Sequence, residues 1–542
     1  MNAIDYAVMA AFFAGLIGAG AWAGRRRASR QEYFLAGRGL TWPFIGFALI
    51  AINIGARYVI GFAGAGYETG VLLGQYEVVS VLNLLVLVFF LLPLYRASGI
   101  YTMPQLLRQR FGDSTHLIYS IIAIVAIFLT VPAGACLLST TLSQVTGTNM
   151  WVYVAVIVPV CVLLTVWGGL KSVAFTDMIM GVVILVGGAV VTWAALAHEK
   201  VGGLAGLAEQ IRAEAPELLE AFREGGFIPW QSVFTGIFVV GLWFWCIDQT
   251  RMQMVLAART LNDGRRGALL VGALKFLTAF LVLTPGLCGR LIYPDLDRPD
   301  QVYGLLLRDL MSPGVLGLVV AGLAAAVIST LMSLLNAAAS IFTNDVFKRL
   351  TSDETFERRA ILSSRLFVGF GGIVTVAGVA VYAQYDAVMR VLLTVYGLVA
   401  GPTLAVYLAG IFWKRANAAG ANPALVIGLA FSFSAPYLPW FEEVNHHYRC
   451  LMAFGLSAAI LALVSLLAPA PEAERLERTT FAWYLRRRRE IEALAATPDG
   501  HEGDPVRDPW YLNYVLWSAV LLALLLAAWW EFGLARIWTG FD

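Results

Sequence analysis

Apolar residues in this chain come in runs of roughly 20, the length of helix that crosses a bilayer, with the polar residues gathered in the gaps between them. About fourteen such runs are read, near 4–24, 43–65, 75–95, 116–145, 150–168, 174–198, 230–254, 268–293, 313–345, 358–382, 386–410, 421–437, 449–469 and 512–533. A helix covering a soluble core would be shorter and amphipathic. The pattern therefore predicts an all-α polytopic membrane protein.

Composition agrees. Of 542 residues, 59% are hydrophobic and 14% charged, with a mean hydropathy of +0.73, too little polar surface for a water-soluble globule. Lys and Arg fall in alternate gaps: Arg25, Arg26, Arg27 and Arg30, then Arg108 and Arg110, Arg259 with Arg265 and Arg266, Lys348 and Arg349, Lys414 and Arg415, and Arg486 to Arg489. Positive charge stays on the cytoplasmic side of short loops, so both termini are expected outside the cell membrane. The first run does not read as a cleaved signal, because Asp5 leads it and its arginines follow it. The longest polar stretches, an external 199–229 and an internal 470–510, read as loops. The arginine cluster in the second reads as a headgroup anchor rather than a nucleic-acid site.

Enzyme chemistry finds little support. The five cysteines form no CxxC pair, the five histidines show no metal-ligand spacing, and no GxxxxGK[ST] motif is present for ATP. What stands out instead is charge inside apolar runs, which costs about 3 kcal/mol or more and marks functional candidates. Glu77 lies in GQYEVVSVLN and Lys275 in LVGALKFLTAF. Opposite signs on different spans can serve as an ion pair holding two helices, or as a hydrogen-bonding site for a polyhydroxylated or zwitterionic ligand; burial alone does not choose.

Asn53 and Arg57 lie in ALIAINIGARYVIGFAGAGYETG, a run interrupted by Gly55, Gly61, Gly64 and Gly66. Glycine costs roughly 1 kcal/mol per helical position, and a broken span frees carbonyls that suit a cation at mid-membrane depth. The same glycines also suit close helix packing. In the 313–345 run, Ser329, Thr330 and Ser333 gather three hydroxyls within about one turn, ligands fit for a hard monovalent ion, although hydroxyls in spans often bond back to their own helix.

Several blocks in order resemble the sodium/solute symporter family, on its sodium/glucose and sodium/galactose branch. They are YFLAGRGLTW, IAINIGARYVIGFAGAGY, YTMPQLLRQRFG, GGLKSVAFTD, LAAAVISTLMSLLNAAASIFTNDVF and GLVAGPTLAVYLAGIFWKR. The resemblance implies a leucine-transporter fold of two inverted five-helix repeats, 43–198 and 230–410, after a leading helix at 4–24 and before three further helices within 421–533. It implies a sodium site made of the carbonyls of Ala51, Ile54 and Ala326 and the hydroxyls of Ser329 and Thr330, with Asp177 and Ser333 nearby. Met332 stands where a second sodium would need a hydroxyl, so one ion per solute is expected. By the same resemblance the solute, most readily a sugar, meets Asn53, Tyr58, Glu77, Ser80 and Lys275, and Phe244 forms a gate. The chain departs at Tyr58, where the branch has Gln or His, at Gly241 for Asn, and at Leu393 for Gln. Arg57 is a further departure. It either pairs with Glu68 or faces the cavity, where it would suit a carboxylate such as a sugar acid or amino acid. An uncoupled channel or sensor on the same fold is the remaining alternative. The expected partners are sodium, a small solute and the bilayer.

Overall fold

The chain breaks its second apolar run where backbone carbonyls were expected to be freed. In the computed structural model, which describes residues 1–23, 39–54, 56–224, 227–385, 388–495 and 510–530, helix α1 (Ala3–Ala23) precedes α2 (Trp42–Asn53). Ile54 leaves helical geometry at φ −91° and ψ 54°, and α3 (Ala56–Thr69) resumes beyond it. Gly61, Gly64 and Gly66 do not interrupt α3. Gly64 and Gly66 serve packing, as at Gly66, where a Cβ would stand 2.6 Å from the Leu283 carbonyl oxygen.

The chain continues through α4 (Gln75–Val86), a π turn, α5 (Leu92–Ser98), the short α6 (Met103–Phe111) and α7 (Asp113–Thr146). Helical bonding then runs unbroken through α8 (Met150–Leu196), where two spans, 150–168 and 174–198, were expected. The runs are nevertheless two packing units. Cys161 Sγ lies 3.8 Å from the Ile328 carbonyl, and a Cβ on Gly187 would lie 3.8 Å from Val319. Those contacts sit about 14 Å apart along one partner helix but would be about 39 Å apart on a straight α8, at 1.5 Å per residue. The backbone therefore turns back between them.

The polar stretch 199–229, expected as a loop, contains α9 (Gly203–Glu214) with Leu207 and Ile211 buried beneath it. Gly70, at φ +66°, lets this lid close: a Cβ there would lie 1.9 Å from the Leu218 carbonyl oxygen. Next come α10 (Gly236–Cys246) and α11 (Gln249–Leu256), bent by 46° at their junction, then α12 (Leu261–Ile292) and a helix the hydropathy pattern missed, α13 (Val302–Leu310). The remaining helices are α14 (Val315–Ile341), α15 (Asp353–Tyr382), α16 (Val388–Phe412), α17 (Ala418–Ser434), α18 (His446–Leu467) and α19 (Tyr514–Trp529). Each expected apolar run thus carries helix.

Helix α14 is the buried axis of the bundle, enclosed by α2, α7, α8 and α15. Its first turn is capped from another element: Asp5 Oδ1 accepts from the Gly314 and Gly317 amides at 2.7 and 3.1 Å, which docks α1 onto it. Short helices also form within 470–510, and two arginines of the cluster, though exposed, contact the protein's own side chains. Arg488 and Arg265 both pair with Glu492, at 3.1 and 3.3 Å, while Arg487 lies 5.9 Å from the Trp483 ring centre.

Candidate functional site

Two buried charges on separate helices meet beside the break in the second run. Lys275 of α12 approaches Glu77 of α4 at 2.5 Å, with side chains 1% and 5% exposed. Its ammonium also donates to Asn53 Oδ1, on the last residue of α2. The Tyr58 and Trp245 rings lie 5.2 and 5.0 Å from the same nitrogen, within reach of a cation–π attraction. The charge pair therefore faces a cavity with aromatic walls.

That cavity is lined by Asn53, Tyr58, Glu77, Phe244 and Lys275, all read from the sequence, and also by Gly241 and Leu393. Ser80 is set back from it: its hydroxyl donates to the Glu77 carbonyl at 2.5 Å, the local bond that serine commonly makes in a helix. The side chains of Arg57 and Asp177 lie outside the described residues. Several lining residues carried no signal in the sequence, notably Phe62, Tyr76, Trp245 and Tyr396, because an aromatic in an apolar run looks the same on a lipid face as on a cavity wall.

Tyr76 is tied to the α9 side of the molecule through a chain of bonds. Asn445 donates its amide to the Phe227 carbonyl at 3.1 Å, which points its Oδ1 at His447 Nδ1, 2.8 Å away. An amide oxygen only accepts, so Nδ1 carries the proton and Nε2 accepts from the Tyr76 hydroxyl at 2.5 Å. Tyr76→Phe keeps the ring and removes this bond. It is expected to raise the solute KM by roughly two- to ten-fold, the worth of one hydrogen bond, and His447→Leu in that background should add nothing further to KM.

Phe244 sits two residues before the bend between α10 and α11. The Arg251 guanidinium carbon lies 3.4 Å from the centre of its ring, and Tyr396 approaches it edge-on with ring centres 5.4 Å apart. Arg251 is fully buried and bonded to Asp248 at 2.6 Å, two charges near the end of the 230–254 run that the sequence pattern did not single out. On the same side of the molecule, α6 is latched to its surroundings. Thr102 donates to Asp345 at 2.9 Å, His116 meets Asp345 at 2.9 Å, and the Met103 amide donates to Gln249 at 2.7 Å. Arg110 donates to the Gly410 carbonyl at 2.8 Å, and burial pulls its guanidinium down to about 10.

A second constellation lies where the end of α2 meets α14. The Thr330 hydroxyl donates to the Ala326 carbonyl at 2.9 Å and stands 3.4 and 3.5 Å from the carbonyls of Ala51 and Ile52. Ile54 is the residue that terminates α2, and Ser329 and Ser333 lie within a turn of Thr330, all buried. Carbonyls at a helix end lack their intrahelical donors. Neutral oxygens from two elements thus converge, a set suited to a hard monovalent cation.

The family profile described as the sodium:solute symporter family matches residues 33–428, which hold both constellations. The chain belongs to the sodium:solute symporter family. This symporter is 30% identical to the human sodium/glucose cotransporter 4 over 92% of its own length and 81% of that protein. It is 28% identical to the mouse sodium/myo-inositol cotransporter over 89% of its length and 76% of that protein. Its fold matches the substrate-bound outward-open state of a Na+-coupled sialic acid symporter, with a TM-score of 0.77 over 87% of this chain and 99% of that one at 20% identity. A nucleobase-cation-symport-1 family transporter in a closed conformation matches with a TM-score of 0.52 over 83% of this chain and 99% of that one at 15% identity. The symporter is therefore a multi-pass membrane transporter of the leucine-transporter fold, coupled to sodium, and not an enzyme.

Proposed function

We propose that the solute is a neutral polyhydroxylated molecule, a sugar or cyclic polyol, carried with one sodium ion. The observation that carries this reading is the charge balance of the cavity: its described lining holds one cation and one anion, Lys275 and Glu77, already bonded to each other. A pair of that kind offers donors and acceptors to hydroxyls without demanding net charge on the ligand. The sodium/glucose and sodium/myo-inositol relatives support the same class.

In this scheme Asn53, Tyr58, Glu77 and Lys275 hold the solute and Arg57 stands at the external mouth. Sodium rests on the carbonyls of Ala51, Ile54 and Ala326 and the hydroxyls of Ser329 and Thr330, with Asp177 and Ser333 beside it. Both termini lie outside, which puts the α6 latch and Phe244 on the cytoplasmic side and the α9 lid on the external side. Repeats 43–198 and 230–410 rock about the two sites, and Phe244 with Arg251 opens the exit. One charge crossing 100 mV supplies about 2.3 kcal/mol and a tenfold sodium gradient about 1.4, enough for accumulation of several hundred-fold.

The test is thermal stability of the purified protein with sugars, cyclic polyols, sugar acids and amino acids, each in sodium and in potassium. A ligand that binds the folded state raises the melting temperature. Neutral polyols are expected to do so in sodium alone. Stabilisation by carboxylates only would transfer the reading to Arg57 and a sugar acid or amino acid.

A further inference from the structure

The cavity wall contains a glycine with a polar group packed directly on it. Gly241 of α10 lines the cavity, and a Cβ on it would stand 2.0 Å from Asn83 Nδ2, so no larger residue at 241 is compatible with the Asn83 side chain as placed. Asn83 lies on α4, on the stripe that begins with the cavity residues Tyr76 and Glu77 and passes through Ser80, at spacings of three residues. Six residues beyond Glu77, it lies about 9 Å further along the axis, toward the Phe244 end. It is 1% exposed. Neither its Nδ2 nor its Oδ1 has a hydrogen-bond partner among the described residues.

A buried carboxamide with both atoms unpaired is costly to a fold, and the same volume filled by leucine would carry no such cost. Its position answers the cost: it abuts the one lining residue without a side chain, where a ligand can approach closest. A carboxamide donates through Nδ2 and accepts through Oδ1, the complement of a hydroxyl, and of two neighbouring hydroxyls better still. We propose that Asn83, reached past Gly241, reads hydroxyl groups of the solute at the Phe244 end of the cavity and thereby sets which polyol is carried. This rests on the reading of the solute as a neutral polyol. It adds a contact from α4 that the charge pair does not supply.

The experiment compares wild type with Asn83→Leu in sodium chloride, using D-glucose, D-galactose, myo-inositol and their monodeoxy analogues as probes and melting temperature as the readout. Without solute, Asn83→Leu should melt at or above wild type, because an unpaired polar group is replaced by an apolar one of similar size. Its affinity for the preferred polyol should fall roughly ten-fold, the worth of one to two hydrogen bonds. The monodeoxy analogue that binds wild type poorly should bind Asn83→Leu no worse than the parent polyol does. Gly241→Ala, whose Cβ displaces the carboxamide, should reproduce the loss of affinity and serves where Asn83→Leu does not fold. Wild-type affinities in Asn83→Leu for every probe would overturn the proposal, as would stability and affinity falling together, the mark of a structural residue. If no neutral polyol stabilises wild type, the polyol reading itself fails and takes this inference with it; failure confined to the variants sinks the inference alone.

Discussion

Lys275→Met is expected to abolish sodium-driven uptake and to destabilise the fold by about 3–5 kcal/mol, because it leaves the Glu77 carboxylate buried without its partner. The loss of stability alone would not establish a role in transport. Glu77 and Lys275 join α4 to α12, and any buried ion pair does the same. The informative protein is the double variant, Glu77→Leu with Lys275→Met. Apolar residues of similar volume commonly replace a buried ion pair at little or no cost, so the double variant should melt close to wild type. It should nevertheless carry nothing, because the ammonium that also donates to Asn53, and the carboxylate beside it, are the polar groups a hydroxylated solute would meet. Uptake in sodium medium, set beside melting temperature, separates the two roles. Recovery of transport together with stability would reduce the pair to a fastener between helices.

The sequence made this pair legible for a physical reason: a lone charge deep in an apolar run has to find an opposite charge, and Glu77 and Lys275 stood in such runs on different spans. The break at Ile54 was legible in the same way, though only Gly55 among four glycines marked it, since glycine signals a break and a close contact alike. Spans were legible because lipid imposes one rule along the whole chain. Elements outside the apolar rule were not. Helices α9 and α13 lie in polar stretches, and α8 keeps helical bonding through the turn that joins its two spans. Ser80 and Asn83 show the limit most clearly. Both are polar residues on the cavity stripe of α4, yet one bonds its own helix and the other lies unpaired against Gly241, a difference set by the facing residue on α10. No pattern within α4 contains that information.

Thr330→Val is expected to remove the effect of sodium while leaving the protein folded. Valine matches the shape of threonine but supplies no oxygen, and the lost bond to the Ala326 carbonyl is local to α14, so in potassium the melting temperature should change by only the few degrees that about 1 kcal/mol represents. In sodium the consequence is larger. The hydroxyl stands where the end of α2 meets α14, 3.4 Å from the Ala51 carbonyl, and an ion held there would lose one of few ligands and its bridge between the two elements. The stabilisation by sodium seen in wild type should disappear, and half-saturation of uptake by sodium should rise at least roughly ten-fold, the effect of a lost ligand worth about 1.4 kcal/mol or more. Coupling is reciprocal: if sodium and solute each favour the same state, loss of the ion site must lower solute affinity measured in sodium to its value in potassium and leave the potassium value untouched. An unchanged response to sodium would place the ion elsewhere. A fall in solute affinity in both salts would mean instead that Thr330 shapes the solute cavity, which lies beside the α2 break and, among the described residues, is lined by none of α14.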